Sequence, residues 1–130
     1  MLPPIDIQLP LIIACCAFMV LDIITGFAGA VINKCVDSKK MKAGLWHKCG
    51  FLLAIIFGIL CEWVSGFVDL GFSLPVQTAV CVFIICIEIV SNLENLCKIS
   101  PELAASNFVK IFTSQKIDDV VGGNENAESR

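Results

Sequence analysis

The sequence predicts an all-α integral membrane protein: three transmembrane helices, N-terminus out and C-terminus in, followed by a C-terminal amphipathic helix. Three observations carry that expectation. Hydrophobic residues make up 57% of a chain of 130 residues, with a mean hydropathy of +0.85, more apolar side chain than one small core can hide. Charged residues are only 16%, against about 25% in ordinary globular domains. The apolar residues also fall into three runs, each near the ~20 residues that cross a hydrocarbon core. The same composition excludes other classes. A secreted disulfide scaffold is less apolar, and a nucleic-acid binder is basic, whereas this chain has net charge -3, so no nucleic-acid partner is expected.

The first span is expected over about residues 9–33. Pro10 fits its opening turn, and only Asp22, Thr25, Gly26 and Gly29 interrupt the run with polar or small residues other than Cys and Ala. A cleaved signal peptide is the competing reading, with Ala28-Gly29-Ala30 as its cleavage site. Residues 1–8 hold no Lys or Arg, Asp22 breaks the apolar stretch, and further apolar runs follow, so a retained helix is preferred. The second span is placed at about 49–68, interrupted by Glu62. The third is placed at 74–92, contains Glu88, and continues as a polar-faced helix toward Cys97, closing a membrane domain of residues 1–97. Between the second and third, Asp69 through Pro75 brings a charge, a glycine and a helix-starting proline, the makings of a tight hairpin.

Orientation follows from the basic residues, which translocation leaves in the cytoplasm. Lys34, Lys39, Lys40, Lys42 and Lys48 fall in the segment read as a loop between the first two spans, while the N-terminal stub and the 69–74 hairpin have none. Trp46 and Trp63 are then placed toward the two interfaces. Ser100-Pro101-Glu102 reads as a helix start, opening a cytoplasmic amphipathic helix over 98–121 with Ala104, Ala105, Phe108, Val109, Ile111 and Phe112 on one face. Residues 122–130 are polar and are expected to be disordered.

Outside the spans the charges cancel, so the net charge is carried by Asp22, Glu62 and Glu88, one carboxyl per span. No basic side chain is expected within a span to pair with them. An acid at mid-membrane costs roughly 2.5–3.5 kcal/mol and faces a bundle interior or a water-filled cavity. Three uses are open: hydrogen-bonding helices together, lining an aqueous lesion, or relaying protons or binding an ion. In the second span Gly50, Ala54, Gly58, Glu62 and Gly66 recur every four residues, a small-residue stripe that lets helix backbones approach closely. Comparable faces are Cys15, Asp22, Gly26, Gly29 and Asn33 in the first span, and Gln77, Cys81, Glu88, Asn92 and Asn95 in the third. Either one monomer closes these faces inward, or many copies pack side by side through them.

The eight cysteines lie mostly inside the apolar runs with no Cys-x-x-Cys pair, and there is a single histidine. They read as reduced packing thiols, with no metal site and no cofactor. His47, beside Trp46 and Lys48, reads as an interfacial residue; no nucleophile constellation or phosphate loop is present, so no catalytic residues and no enzyme activity are expected.

Three short segments in order resemble a known family. Asp22-Ile23-Ile24-Thr25-Gly26 resembles the acidic-x-x-Thr-Gly element of the toxin-secretion/phage-lysis holins. Ser38-Lys39-Lys40 through Gly44-Leu45-Trp46-His47-Lys48 is similar to that family's basic segment. Ser91-Asn92-Leu93-Glu94-Asn95-Leu96, followed by Pro101, resembles its Ser-x-x-Glu-Asn element and the proline opening its last helix. The resemblance covers about residues 20–112; the cysteine-rich spans and Ile99-Ser100 depart from it. It implies a phage or prophage protein of the bacterial inner membrane that homo-oligomerises and permeabilises the bilayer for an endolysin or, in clostridial relatives, a large toxin. Asp22, Thr25, Gly26, the lysines, Glu94 and Asn95 fall on its motifs; Asn92 lies within the last element, and Glu62 and Glu88 are singled out by position alone. A proton- or ion-coupled transporter or channel subunit, and a non-permeabilising scaffold or holin antagonist, are the other readings the residues leave open.

Overall fold

The computed structural model describes residues 4–68 and 75–105. Four helices follow in order: α1 (Leu9–Ile32), α2 (Ser38–Ser65), α3 (Val76–Ile99) and the short α4 (Pro101–Ala104). The first three are each long and apolar enough to cross a membrane. The hairpin expected at 69–74, the amphipathic helix beyond Ala105 and the tail at 122–130 lie outside the described residues.

α1 opens with Pro10 in its first turn and ends in a tight reversal. Cys35 N–H donates to Ala30 O (3.0 Å) and Lys34 N–H to Val31 O (3.1 Å), the paired bonds that satisfy the last carbonyls of a helix. Lys34 takes the left-handed backbone that closes this turn, with φ 51°. Asp37 then starts α2: its carboxylate accepts the Lys39 N–H at 2.8 Å and the Lys40 N–H at 3.4 Å, filling donors that a helix start otherwise leaves empty.

That cap changes the reading of the lysine-rich segment. It is not a loop running to Lys48; α2 begins at Ser38 and carries Lys39, Lys40, Lys42 and Lys48 within it. The expected start near Cys49 took charge as a sign of loop, but Lys, Met, Ala and Leu are all good helix formers. α3 runs on to Ile99, beyond the span placed at 74–92, in keeping with the expected continuation toward Cys97.

α3 packs along both other long helices, which touch each other least. Its buried face is Gln77, Cys81, Ile84, Glu88 and Asn92; α1 turns Cys15, Met19, Thr25 and Gly29 inward. The apolar core is small: Cys15, Met19, Ile55, Cys81 and Ile84. Large apolar side chains point outward instead, among them Leu53 (66% exposed), Phe57 (64%) and Phe83 (63%). Such a surface suits lipid and not water, because an apolar side chain gains nothing by leaving hydrocarbon. All eight cysteines are free, and Cys15 donates to Cys81 O at 3.4 Å.

Candidate functional site: an ion cluster inside the bundle

Each long helix delivers one charged side chain to a common point. The Lys48 ammonium on α2 lies 2.7 Å from both carboxylate oxygens of Glu88 on α3 and 2.9 Å from Asp22 Oδ2 on α1. Their side chains are 10%, 2% and 16% exposed, in that order. With a rise of 1.5 Å per residue, each charge sits about 15 Å from the same end of the bundle. That point lies well inside each helix and not at its end. The expectation that no cation lies within a span is therefore corrected: the longer α2 takes in Lys48, which bridges two of the three acids.

Neutral groups complete the cluster. Asn95 Nδ2 donates to Asp22 Oδ1 at 2.8 Å, and Asn92 Nδ2 donates to Glu88 O at 2.7 Å and to Phe18 O at 3.2 Å. Thr25 Oγ1 donates to Leu21 O at 2.9 Å and meets Asn92 Oδ1 at 3.3 Å. Gly26 leaves room for the Asn95 side chain, since a Cβ there would lie 3.3 Å from Asn95 Nδ2. Gly29 lies one turn further, where a Cβ would stand 3.9 Å from Asn95 O. Among the described residues no buried side-chain nitrogen or oxygen lacks a partner. Satisfaction matters here because an unpaired polar group in a low-dielectric interior is costly.

Glu62 does not join this group. Its Oε1 accepts the backbone N–H of Gln77 at 2.8 Å, in the first turn of α3, where the helix leaves donors unsatisfied and its dipole favours negative charge. Gln77 is fully buried beside it. With its amide turned so that the oxygen faces Gln8 N–H (2.8 Å), its nitrogen donates to Asp6 O (3.3 Å). Thr78 Oγ1 donates to Gln8 Oε1 at 3.0 Å. The far end of the bundle is thus closed by polar contacts of its own.

The four-residue stripe on α2 splits by location. Gly58 is buried against α3, where a Cβ would stand 3.2 Å from Gln77 Cα. Ala54 is half-buried, Gly66 caps the exposed end of the helix, and Gly50 has open space around it. Glu94 lies on the exposed side of α3, away from Asn92 and Asn95. Lys34 sits in the reversal and Lys39, Lys40 and Lys42 on the first two turns of α2, all exposed. The residue that sequence reasoning misplaced was Lys48. Its signal was present: Lys48, Phe51, Ile55, Gly58 and Glu62 alternate by three and four residues, the spacing of one helix face. Among the described residues no group of three His, Cys, Asp or Glu side chains is arranged to hold a metal ion.

A family model for the bacteriophage holins matches residues 8–113. The chain belongs to the bacteriophage holin family. The matched range takes in all three spans, the ion cluster and α4, and it agrees with the resemblance carried by Asp22 through Gly26, the basic segment and Ser91 through Leu96. Holins are membrane pore-forming proteins and not an enzyme class. No curated protein and no solved structure matches the chain.

Proposed function

We propose that this holin-family chain accumulates in the bacterial cytoplasmic membrane, oligomerises there and permeabilises it, so that an endolysin or a large secreted toxin can leave the cytoplasm and the host cell lyses. One observation supports this reading above the others: a bundle that is greasy outside and polar inside, with Lys48 and Glu88 buried within it and a half-buried Asp22 beside them. In single copies the polar faces satisfy each other. In a crowded patch the same faces, with Thr25, Asn92 and Asn95, exchange their neighbours for water and border the lesion. Weak contacts averaging about 0.6 kcal/mol in membranes add up only when many helices associate, which gives a steep dependence on concentration.

The N-terminus is placed outside and the C-terminus inside, because Lys34, Lys39, Lys40 and Lys42 gather at one end of the bundle. The open side of α2 at Gly50 offers a second copy a close backbone approach, whereas Gly58 is already used within the monomer. Inducible expression in a bacterium tests the proposal. Growth should continue, then stop abruptly with loss of membrane potential, and co-expressed endolysin should convert arrest to lysis. A saturable, ion-selective current that never passes a protein overturns it in favour of a transporter or channel subunit.

A further inference from the structure

A cleft of about 790 Å³ is lined by residues of α1, of α2 with the turn before it, and of α3, at the end of the bundle that carries the lysines. Its floor is the ion cluster, reached at Asp22 and Lys48, and its rim holds Lys40, Lys42 and Lys98. The walls between are apolar, with Ile23 and Phe27 from α1 and Leu45 from α2. Lys42 and Lys40 stand about 9 and 12 Å along α2 from Lys48, toward the lysine-bearing end of the bundle. The cleft therefore combines apolar walls with lysines toward the end of the bundle.

We infer that this cleft is a binding site for an anionic phospholipid, its phosphate held by Lys40, Lys42 and Lys98 and one acyl chain lying between Phe27 and Leu45. Charge complementarity selects this occupant. Four lysines line the cleft against two carboxylates; Lys48 is taken up by Asp22 and Glu88, which leaves Lys40, Lys42 and Lys98 against Asp37, still an excess of positive charge. Basic pockets between membrane helices recognise phosphate headgroups in this way. A zwitterionic lipid supplies the same chain but adds a cation that the rim repels. A free phosphate supplies the charge but leaves the apolar walls unfilled.

The site also gives the lysines at the start of α2 a role. Cations near a helix N-terminus work against its dipole, and Asp37 is the only acid among the capping contacts. A bound phosphate supplies the missing negative charge.

The test uses the full chain, purified in mild detergent and titrated with phosphatidylglycerol, phosphatidylcholine or inorganic phosphate, with retained lipid counted by native mass spectrometry. Phosphatidylglycerol should be retained tenfold or more over phosphatidylcholine, and inorganic phosphate should not compete. Lys40→Gln and Lys42→Gln should each weaken retention about fivefold, the equivalent of about 1 kcal/mol per lysine near an anionic surface. Lys39→Gln, which does not line the cleft, should change retention little. Ala30→Trp, which fills the cleft from α1, should abolish retention while helicity stays at the level of the parent chain. Equal retention of the two lipids, or equal loss from Lys39→Gln and Lys40→Gln, overturns the site, because either makes the lysines a general surface charge. Unchanged retention in Ala30→Trp, with loss of cross-linked oligomers, also overturns it and gives the cleft to a second copy of the chain.

Discussion

Two acids in this bundle, the buried Glu88 and the half-buried Glu62, are satisfied by different means. Glu88 is met by a cation from another helix, and that cation also holds Asp22. Glu62 is met by a backbone N–H at the start of α3. The first solution ties three helices together at one point deep in the bundle. The second joins only α2 to α3 and lies near the bundle end. An intramembrane carboxylate is thus no single kind of feature; what it does depends on whether its partner is a mobile side chain or a fixed main chain.

The contrast breaks most severely at Lys48. Lys48→Met leaves two carboxylates inside the bundle without their shared cation, and removal of one partner of a buried pair costs about 3–5 kcal/mol. Unfolding in mixed detergent micelles, followed by circular dichroism, should show that loss. Replacing Glu88 by Gln and Asp22 by Asn in the same chain should restore most of it. If Lys48→Met alone unfolds like the parent chain, the cluster contributes nothing to the bundle.

Next comes the contact beneath Glu62. Gly58→Leu forces a side chain against the Gln77 backbone, a displacement expected to cost about 1–3 kcal/mol, seen in the same unfolding measurement. Glu62→Gln keeps an acceptor oxygen but removes the charge, so only the interaction with the α3 dipole is lost, about 0.5–1 kcal/mol. A loss as large as that of Lys48→Met would mean that the two acids are equivalent after all. The smallest effect belongs to Gly50→Leu. Space around Gly50 is open, so monomer stability should move by less than about 0.5 kcal/mol, while cross-linked oligomers should decrease. Unchanged oligomers would remove this side of α2 from self-association.

Much of this architecture is legible in the sequence because hydrophobic runs are long and lipid imposes few alternatives. The polar residues of the third span, Gln77, Cys81, Glu88, Asn92 and Asn95, share one helix face by spacing alone, and in the fold the first four are buried together with Ile84 while Asn95 is half-buried. The start of α2 was not legible, since five lysines in fifteen residues look like a solvated connection until Asp37 is seen capping them. Placing Lys48 outside the membrane then hid the counterion of two acids. The role of Glu62 was hidden for another reason: its partner is a main-chain N–H, and no side-chain pattern announces one.

The shared ammonium has a consequence for how such a bundle comes apart. One positive charge cannot be divided between separating helices. If α1 departs alone, Asp22 is carried into oil bare; if α2 departs, two negative charges stay behind facing each other. Every partial separation strands at least one ion, so the parting is all or none, and it waits until enough water or enough neighbours arrive together to receive every charge at once.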